Sequence, residues 1–206
     1  MEDLIKIKME GKEMKDKQKD IFKGLTKDQI FPHQLAFTLL IPLRNIFLSP
    51  RKLINRLGIK ENHRVLEIGP GPGYFSLKIA NALAGGVLVL ADIQQEMLDV
   101  AKNRLNKKGI SNVDYHLCNG MDFPFRDNEF DRIFMVTVLG EIENRGQYIK
   151  EFYRILKPKG LISISEQWGD ADKMSIEEIK ALVTKYGFKL KKVYGNKSNF
   201  TINFSK

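Results

Sequence analysis

The residues with the clearest chemistry in this chain are three glycines at alternate positions that follow a short apolar run. The run is 65–68, with the acidic Glu67 inside it, and Gly69, Gly71 and Gly73 come directly after it. Glycine adopts backbone angles that other residues avoid, and its missing side chain lets the main chain approach a ligand closely. A strand that leads through such a loop into a helix is typical of a site for a nucleotide-type ligand. The alternative, from these residues alone, is a tight turn without a ligand.

A second carboxylate stands at the end of the next apolar run. Asp92 closes the run 87–91 and lies 19 residues after Gly73, where a carboxylate can accept hydrogen bonds from ribose hydroxyls. A carboxylate that ends a buried strand is costly unless it is hydrogen-bonded, so Asp92 is the strongest single candidate for a ligand contact. The spacing also suits a dinucleotide enzyme, but the third glycine of the dinucleotide fingerprint would fall at Tyr74.

The elements that must position these residues alternate regularly after residue 60. We predict strands at 64–68, 87–91, 112–117, 130–138 and 161–165, and helices at 74–84, 94–108, 145–156 and 175–186. Ser175 and Glu178 have the spacing of a capping box at the start of the last helix. Residues 195–199 predict a hairpin between two final strands around Val193 and Thr201. This alternation predicts an α/β fold with a parallel sheet covered on both faces.

Composition agrees with one domain and a small appendage. The chain has 206 residues and is 43% hydrophobic, enough to bury a substantial core. Cys118 is the single cysteine, which excludes an internal disulfide and a cysteine-based zinc site, and the three histidines lack metal spacing, so we predict no metal. The first residues show no apolar signal region, and the longest mostly apolar stretch, 35–43, is too short to span a bilayer. We therefore expect a cytoplasmic protein without a transmembrane segment.

The net charge of +9 is unevenly distributed. Residues 1–28 carry eight lysines against seven acidic residues and predict a solvated, mobile arm. After Glu178 there are seven lysines and no acidic residue, and a second basic run, 44–64, contains only one acidic residue, Glu61. Such patches can attract an anionic substrate, RNA or an anionic membrane surface, or can simply be solvated faces. Both interpretations stay open at the level of sequence.

Two longer motifs complete the pattern. Residues 119–133 read NGMDFPFRDNEFDRI, and residues 151–160 read EFYRILKPKG. With the glycine loop and Asp92, they resemble the class I S-adenosylmethionine-dependent methyltransferases, including the small UbiE-like and arsenite-methyltransferase-like enzymes. The resemblance covers residues 62–166. It implies a Rossmann-like, seven-stranded, mostly parallel sheet with the last strand inserted antiparallel, here with an N-terminal helical extension.

The resemblance also implies S-adenosyl-L-methionine as cofactor and a set of binding residues. Glu67 would bind the amino end of the methionine moiety through water or loop amides, and Ile93 would pack on the adenine face. Asn119 takes the position where the family usually has an aspartate that accepts from the adenine amine. Asparagine can accept there but supplies no charge, so that contact is weaker. The implied cofactor-binding residues are Glu67, Gly69, Pro70, Gly71, Gly73, Asp92, Ile93, Asn119, Gly120, Met121 and Thr137.

The chemistry follows from such a cofactor. A sulfonium methyl group is already activated, so an enzyme can act by holding the nucleophile in line and excluding water, and no general base is obligatory. Residues 137–141, after the fourth strand, would form the floor of the acceptor pocket. Glu141 is the candidate proton acceptor, and the alternative is a solvated carboxylate that opens a helix.

We divide the chain into an arm (1–28), a helical lid or cover segment (29–60) and the cofactor-binding domain (61–206). The apolar stretch 31–42 could line a site for a small, partly apolar acceptor, or could be structural cover. The fourth strand lacks the Asn/Asp-Pro-Pro-aromatic sequence used for exocyclic base nitrogens, and the lone cysteine cannot form the pair used at cytosine C5. Methylation of a nucleobase is therefore disfavoured, although RNA is not excluded.

Two other classes of protein compete with this interpretation. A nicotinamide-dependent oxidoreductase could use Tyr153 and Lys157, spaced as Tyr-x-x-x-Lys, but the pair precedes strand five and Gly140 stands where that class has a serine. A non-catalytic protein could keep the fold and bind RNA through its basic C-terminal face. The ordered motifs favour the methyltransferase.

Overall fold

The computed structural model describes residues 48–118 and 123–206 of the chain. The predicted arm, 1–28, and most of the predicted lid, 29–60, lie outside the described residues, as do Asn119, Gly120 and Met121. Statements below about contacts refer to the described ranges. The predicted division of the chain into arm, lid and domain stays a prediction.

Seven strands form one sheet in the order β3-β2-β1-β4-β5-β7-β6. The strands are β1 Arg64–Ile68, β2 Val87–Asp92, β3 Val113–Leu117, β4 Phe130–Val136, β5 Leu156–Glu166, β6 Lys189–Gly195 and β7 Phe200–Ser205. β1 to β5 are parallel, and β7 is inserted antiparallel between β5 and β6. This topology confirms the predicted fold, including the antiparallel last strand and the C-terminal hairpin.

Helices cover both faces of the sheet, as βαβ connections require. They are α1 Pro50–Leu57, α2 Ser76–Ala82, α3 Gln95–Asn106, α4 Arg145–Ile155 and α5 Ile176–Lys185, with a short 3₁₀ helix at Leu139–Glu141. α1, α2 and α3 pack on one face and α4 and α5 on the other. Ser175 caps α5, and Glu178 completes the predicted capping box. No helix within the described ranges is long and apolar enough to cross a bilayer.

α1 is the part of the predicted lid that the structure describes, and it packs as cover on the sheet. Ser49 caps its start, and Gly58 ends it with a φ of 56°. Leu53 and Leu57 are fully buried on the face they share with α2 and α3. Arg56 ties the helix to β7, donating to the Thr201 hydroxyl at 2.7 Å. At this end, therefore, the segment contributes to the core.

Two strand ends differ from the prediction for local reasons. β4 stops at Val136 rather than residue 138, because Thr137 has a φ of 55°, outside the strand region. β5 begins at Leu156 because that residue pairs with Phe130 before an irregularity, after which regular pairing resumes at Leu161. Residues 157–160, which lie between the predicted helix and the predicted fifth strand, thus belong to β5.

Candidate functional site

The carboxyl ends of the central strands define the site. β1 lies between β2 and β4, and the chain order reverses at the β1–β4 border. In open α/β sheets, ligands bind in the crevice beyond the carboxyl ends of the strands at such a reversal. The glycine loop follows β1 and therefore stands at this place.

The loop needs its glycines for conformation and for space. Gly69, Gly71 and Gly73 have φ angles of 62°, 52° and 75°, a region that residues with a side chain rarely adopt. A Cβ atom on Gly69 would lie 2.6 Å from Cγ2 of Val138, in the segment after β4. The Gly69 amide donates to the Ala91 carbonyl at 2.9 Å, which fixes the loop beside the end of β2.

Neighbouring helices hold the loop in this shape. The Gly73 amide donates to the Pro70 carbonyl at 3.0 Å, closing a turn. Arg104 of α3 donates to the Gly73 carbonyl and, at 3.4 Å, to the Pro72 carbonyl. Sequence reasoning did not identify Arg104, because an arginine on a helix carries no distinctive local signal. The loop is a preorganised backbone surface.

Glu67 is buried under the loop. It is 3% exposed, so it is not a solvated carboxylate at a strand terminus. Ser76 of α2 donates its hydroxyl to Oε2 of Glu67 at 2.6 Å. Burial raises the pKa of Glu67 to about 8, the Ser76 hydrogen bond opposes this, and the nearby Asp92 carboxylate adds to it. A polar or cationic ligand group at this point could stabilise the charged form.

Asp92 ends β2 beside the loop and is 8% exposed. Burial raises its pKa, and hydrogen bonds from the backbone amides of Gln94, Gly71 and Ile93 oppose this shift. The Gln94 amide donates to Oδ1 at 3.0 Å. The carboxylate is thus anchored in both directions, toward the glycine loop and toward α3. Amides that fix one side of a carboxylate leave its other lone pairs for a ligand.

Of the remaining predicted site residues, the structure describes Ile93 and Thr137. Ile93 directly follows Asp92 and is 46% exposed, unusual for a large apolar side chain beside a buried strand end. Thr137 follows β4 with a left-handed φ of 55°, and its amide donates to the Ser165 carbonyl at 2.8 Å. A β-branched residue in this region is strained, and such strain concentrates at functional sites. The contacts of Asn119, Gly120 and Met121 lie outside the described residues.

Acidic residues collect beyond the ends of β4 and β5. Glu141 is exposed to solvent at the end of the 3₁₀ helix, but the surrounding protein partly desolvates its carboxylate. This burial raises its pKa to about 7, together with repulsion from Asp170, Asp172 and Asp92. The predicted proton acceptor thus lies within electrostatic range of the segment after β5 and of Asp92 at the end of β2.

Glu166 is a functional candidate that sequence reasoning missed. It ends β5, is 1% exposed, and neither of its carboxylate oxygens accepts a hydrogen bond of normal geometry from the described residues. Burial raises its pKa to about 9, and Asp170 raises it further by repulsion and as a hydrogen-bonding neighbour of the protonated form. The signal that identified Asp92, an acidic residue at the end of an apolar strand, is also present here.

The matching family model agrees with this geometry. Residues 66–164 match a methyltransferase domain. A ubiquinone/menaquinone biosynthesis C-methyltransferase, UbiE, of Pectobacterium atrosepticum is 32% identical over 133 residues, which are 64% of this chain and 51% of the relative. The chain spans about half the length of the curated relatives it matches.

Solved structures show the same fold. A methyltransferase of Aquifex aeolicus, described as dependent on S-adenosylmethionine, matches with a TM-score of 0.79 and 23% identity over 85% of this chain and 98% of its own. A phosphoethanolamine N-methyltransferase of Haemonchus contortus, in complex with S-adenosyl-L-methionine, matches with a TM-score of 0.72 and 18% identity over 89% and 61% of the two chains.

The fold and the glycine loop at its strand reversal define a nucleotide-type binding protein of the doubly wound α/β class. The matched methyltransferase domain narrows the class of protein further. The matched domain and the UbiE relatives support the class I S-adenosylmethionine-dependent methyltransferase family for this chain. The predicted fold is confirmed, and the matched methyltransferase domain supports the predicted family and cofactor class over the oxidoreductase alternative.

Proposed function

We propose that this chain binds S-adenosyl-L-methionine at the carboxyl ends of β1 and β2 and transfers its methyl group to a small, partly apolar acceptor. The observation that carries the proposal is the combination of three left-handed glycines after β1 with two buried carboxylates, Glu67 and Asp92, at adjacent strand ends. A cytoplasmic location stays a prediction from the sequence.

The proposed roles follow the site from one end of the cofactor to the other. Glu67 and the loop 69–73 hold the methionine moiety, with the main chain close to the ligand. Asp92 accepts hydrogen bonds from the ribose hydroxyls, since backbone amides already fix the other side of its carboxylate. Ile93 packs on the adenine ring, which would cover its exposed surface. Asn119, Gly120 and Met121 contact the adenine edge, and Thr137 lies between cofactor and acceptor.

Methyl transfer would then need orientation more than acid–base chemistry. The acceptor attacks the methyl carbon, the carbon–sulfur bond breaks, and its electron pair goes to sulfur. A site that excludes water and holds the nucleophile in line can supply several kcal/mol of the barrier. Glu141, with its pKa raised to about 7, could take a proton from the acceptor near neutral pH.

The class of acceptor rests on two arguments. The curated relatives are named as C-methyltransferases of ubiquinone and menaquinone biosynthesis, whose substrates are small molecules with an apolar part. The apolar segment 31–42, outside the described residues, is a candidate wall of such a pocket. The alternative acceptor or partner is RNA, bound by the basic C-terminal face that includes the exposed edge strand β6.

Calorimetry tests the cofactor. We expect S-adenosyl-L-methionine to bind the full chain and NAD not to bind. Tight binding of NAD without a signal for S-adenosyl-L-methionine would overturn the proposed function. Measurement of both ligands on one protein sample controls for inactive material.

Radiolabel tests the acceptor. The full chain is incubated with S-adenosyl-L-methionine labelled in its methyl group and with fractionated cell extract. We expect label in the organic-soluble or small polar fraction. Label in the organic fraction that is lost on deletion of residues 1–42, while cofactor binding survives, would support the predicted lid. Label confined to RNA would overturn the small-molecule acceptor in favour of the basic face.

A further inference from the structure

The negative charge of the acidic residues around the ends of β4 and β5 contrasts with the positive net charge of the chain. The whole sequence carries a net charge of +9, yet four acidic residues interact electrostatically around the carboxyl ends of β4 and β5: Glu141, Glu166, Asp170 and Asp172. The segment after β5 is pressed against the 3₁₀ helix, because a Cβ atom on Gly140 would lie 1.8 Å from the Asp172 carbonyl oxygen. The carboxylates are therefore held together by close backbone packing.

Glu166 is the unusual member of this group. A buried carboxylate normally accepts several hydrogen bonds, and leaving one without donors is costly. Glu166 is 1% exposed, and neither oxygen accepts a normal hydrogen bond from the described residues. Lys173 is the cation whose charge most favours the ionised form, but its ammonium donates to the Lys197 carbonyl and lies 5.6 Å above the Phe200 ring.

The group is also connected to the proposed cofactor site. Glu141 interacts electrostatically with Asp170 and Asp172 and also with Asp92. Three partly buried apolar residues in the segments that follow β4 and β5 pack against the core: Val138, Ile142 and Met174. Within the described ranges no three acidic, histidine or cysteine side chains have the arrangement of metal ligands. A compact metal ion is therefore disfavoured relative to an organic cation, whose donors spread over several acceptors.

We propose that Glu166, with Glu141 and Asp170, forms the recognition wall of the acceptor pocket, and that the acceptor carries an alkylammonium group. The proposal rests on the proposed function, because it names the substrate class of that site. The proposal names the group of the acceptor that the protein recognises. It does not specify which atom of the acceptor is methylated. An ammonium group would supply the hydrogen-bond donors that the described residues do not give to Glu166, and Val138, Ile142 and Met174 would contact the alkyl part.

The test uses matched probes on the full chain, with and without S-adenosylhomocysteine. Hexylammonium and phenethylammonium are compared with hexanol and phenylethanol by calorimetry. We expect each ammonium probe to bind more tightly than the neutral alcohol of matching shape. In Glu166→Gln, which keeps the side-chain shape, we expect ammonium affinity to fall about ten-fold or more, the scale of a charged hydrogen bond. The control is Glu61→Gln, an exposed residue that precedes β1.

A second readout distinguishes recognition from a structural role. Because the pKa of Glu166 is raised to about 9, ammonium binding near pH 7 should release close to one proton per complex, measured in buffers of different ionisation enthalpy. The charged groups that interact with Glu166 are Asp170, Lys173 and Glu141. Glu166→Gln should remove most of the proton release. Equal binding of charged and neutral probes, or full ammonium affinity in Glu166→Gln, would overturn the inference. Failure to bind S-adenosyl-L-methionine would instead overturn the proposed function, and probe binding is measured independently of it.

Discussion

At the scale of single residues, Asp92 gives the most direct test of the cofactor site. We expect Asp92→Ala to weaken binding of S-adenosyl-L-methionine by about 1.5 to 3 kcal/mol, roughly 10- to 150-fold, because hydrogen bonds to a charged group have this magnitude. Stability should change by only about 1 kcal/mol, because the lost hydrogen bonds from the Gln94, Gly71 and Ile93 amides are offset by removal of a buried carboxylate. Calorimetry and thermal unfolding measure the two effects separately.

A matched control lies on α3. Asp99→Ala removes an exposed carboxylate that accepts from the Gln95 side chain at 2.9 Å, away from the glycine loop. Its cofactor affinity should equal that of the unchanged chain. If Asp92→Ala and Asp99→Ala bind the cofactor equally well, Asp92 does not belong to the site.

The sequence located the candidate residues better than it described their surroundings. Asp92 was predicted because a carboxylate at a buried strand end needs partners, and its backbone partners are present. The partner of Glu67, the Ser76 hydroxyl, depends on how α2 packs on β1, a tertiary contact that no local pattern encodes. Glu166 shared the strand-end signal with Asp92 but lies outside the family motifs. Which strand-end carboxylate lacks partners is a property of packing.

At the scale of elements, the loop between β1 and α2 depends on two independent constraints at Gly69. We expect Gly69→Ala to destabilise the loop and weaken cofactor binding by about 1 to 3 kcal/mol, since the left-handed φ of 62° disfavours a side chain. In addition, the new Cβ would lie 2.6 Å from Val138. Val138→Ala should relieve the clash but leave the backbone strain.

The double variant therefore should recover part of the loss. Calorimetry and unfolding are compared for Gly69→Ala, Val138→Ala and both together, because contacting residues give non-additive effects. Gly85→Ala is the control, since a Cβ atom there would meet nothing within 4 Å and its φ is not left-handed. Strict additivity of the two substitutions would contradict the close approach of the loop to the segment after β4.

Element type and order could be predicted from the sequence, whereas two strand ends could not. The ends of β1 and β2 could be predicted to within one residue from their apolar runs and the glycines next to them. The local sequence pattern and the burial of the strands agree there. β4 ends at Val136 because the next residue, Thr137, is a β-branched residue held in left-handed backbone by its surroundings, against its propensity. The start of β5 depends on one pairing with Phe130, a contact distant in sequence.

At the scale of the whole molecule, several acidic residues with raised pKa values make the stability depend on pH in the same direction. The pKa values of Glu67 and Glu166 are raised to about 8 and about 9, and that of the more exposed Glu141 to about 7, chiefly by burial, from an ordinary value of 4.5. The folded chain thus holds protons that the unfolded chain releases above about pH 4.5. Their contribution to stability is complete below that pH and is lost as the pH rises through the folded values.

We therefore expect the free energy of unfolding of the cofactor-free chain to fall between about pH 5 and pH 8. Glu67 alone can contribute a slope of up to about 1.4 kcal/mol per pH unit, the value for one proton. Asp131, whose pKa is lowered by Lys157 and the Arg64 amide despite burial, acts in the opposite direction and lowers stability only as the pH falls through the acid range.

Denaturant unfolding at pH 5, 6, 7 and 8 measures the slope. Glu67→Gln and Glu166→Gln should each flatten it, whereas Glu61→Gln should leave it unchanged. Stability that rises steadily from pH 5 to pH 8 would show that these carboxylates are ionised in the folded chain, and that the two strand ends are more open to water than their burial indicates.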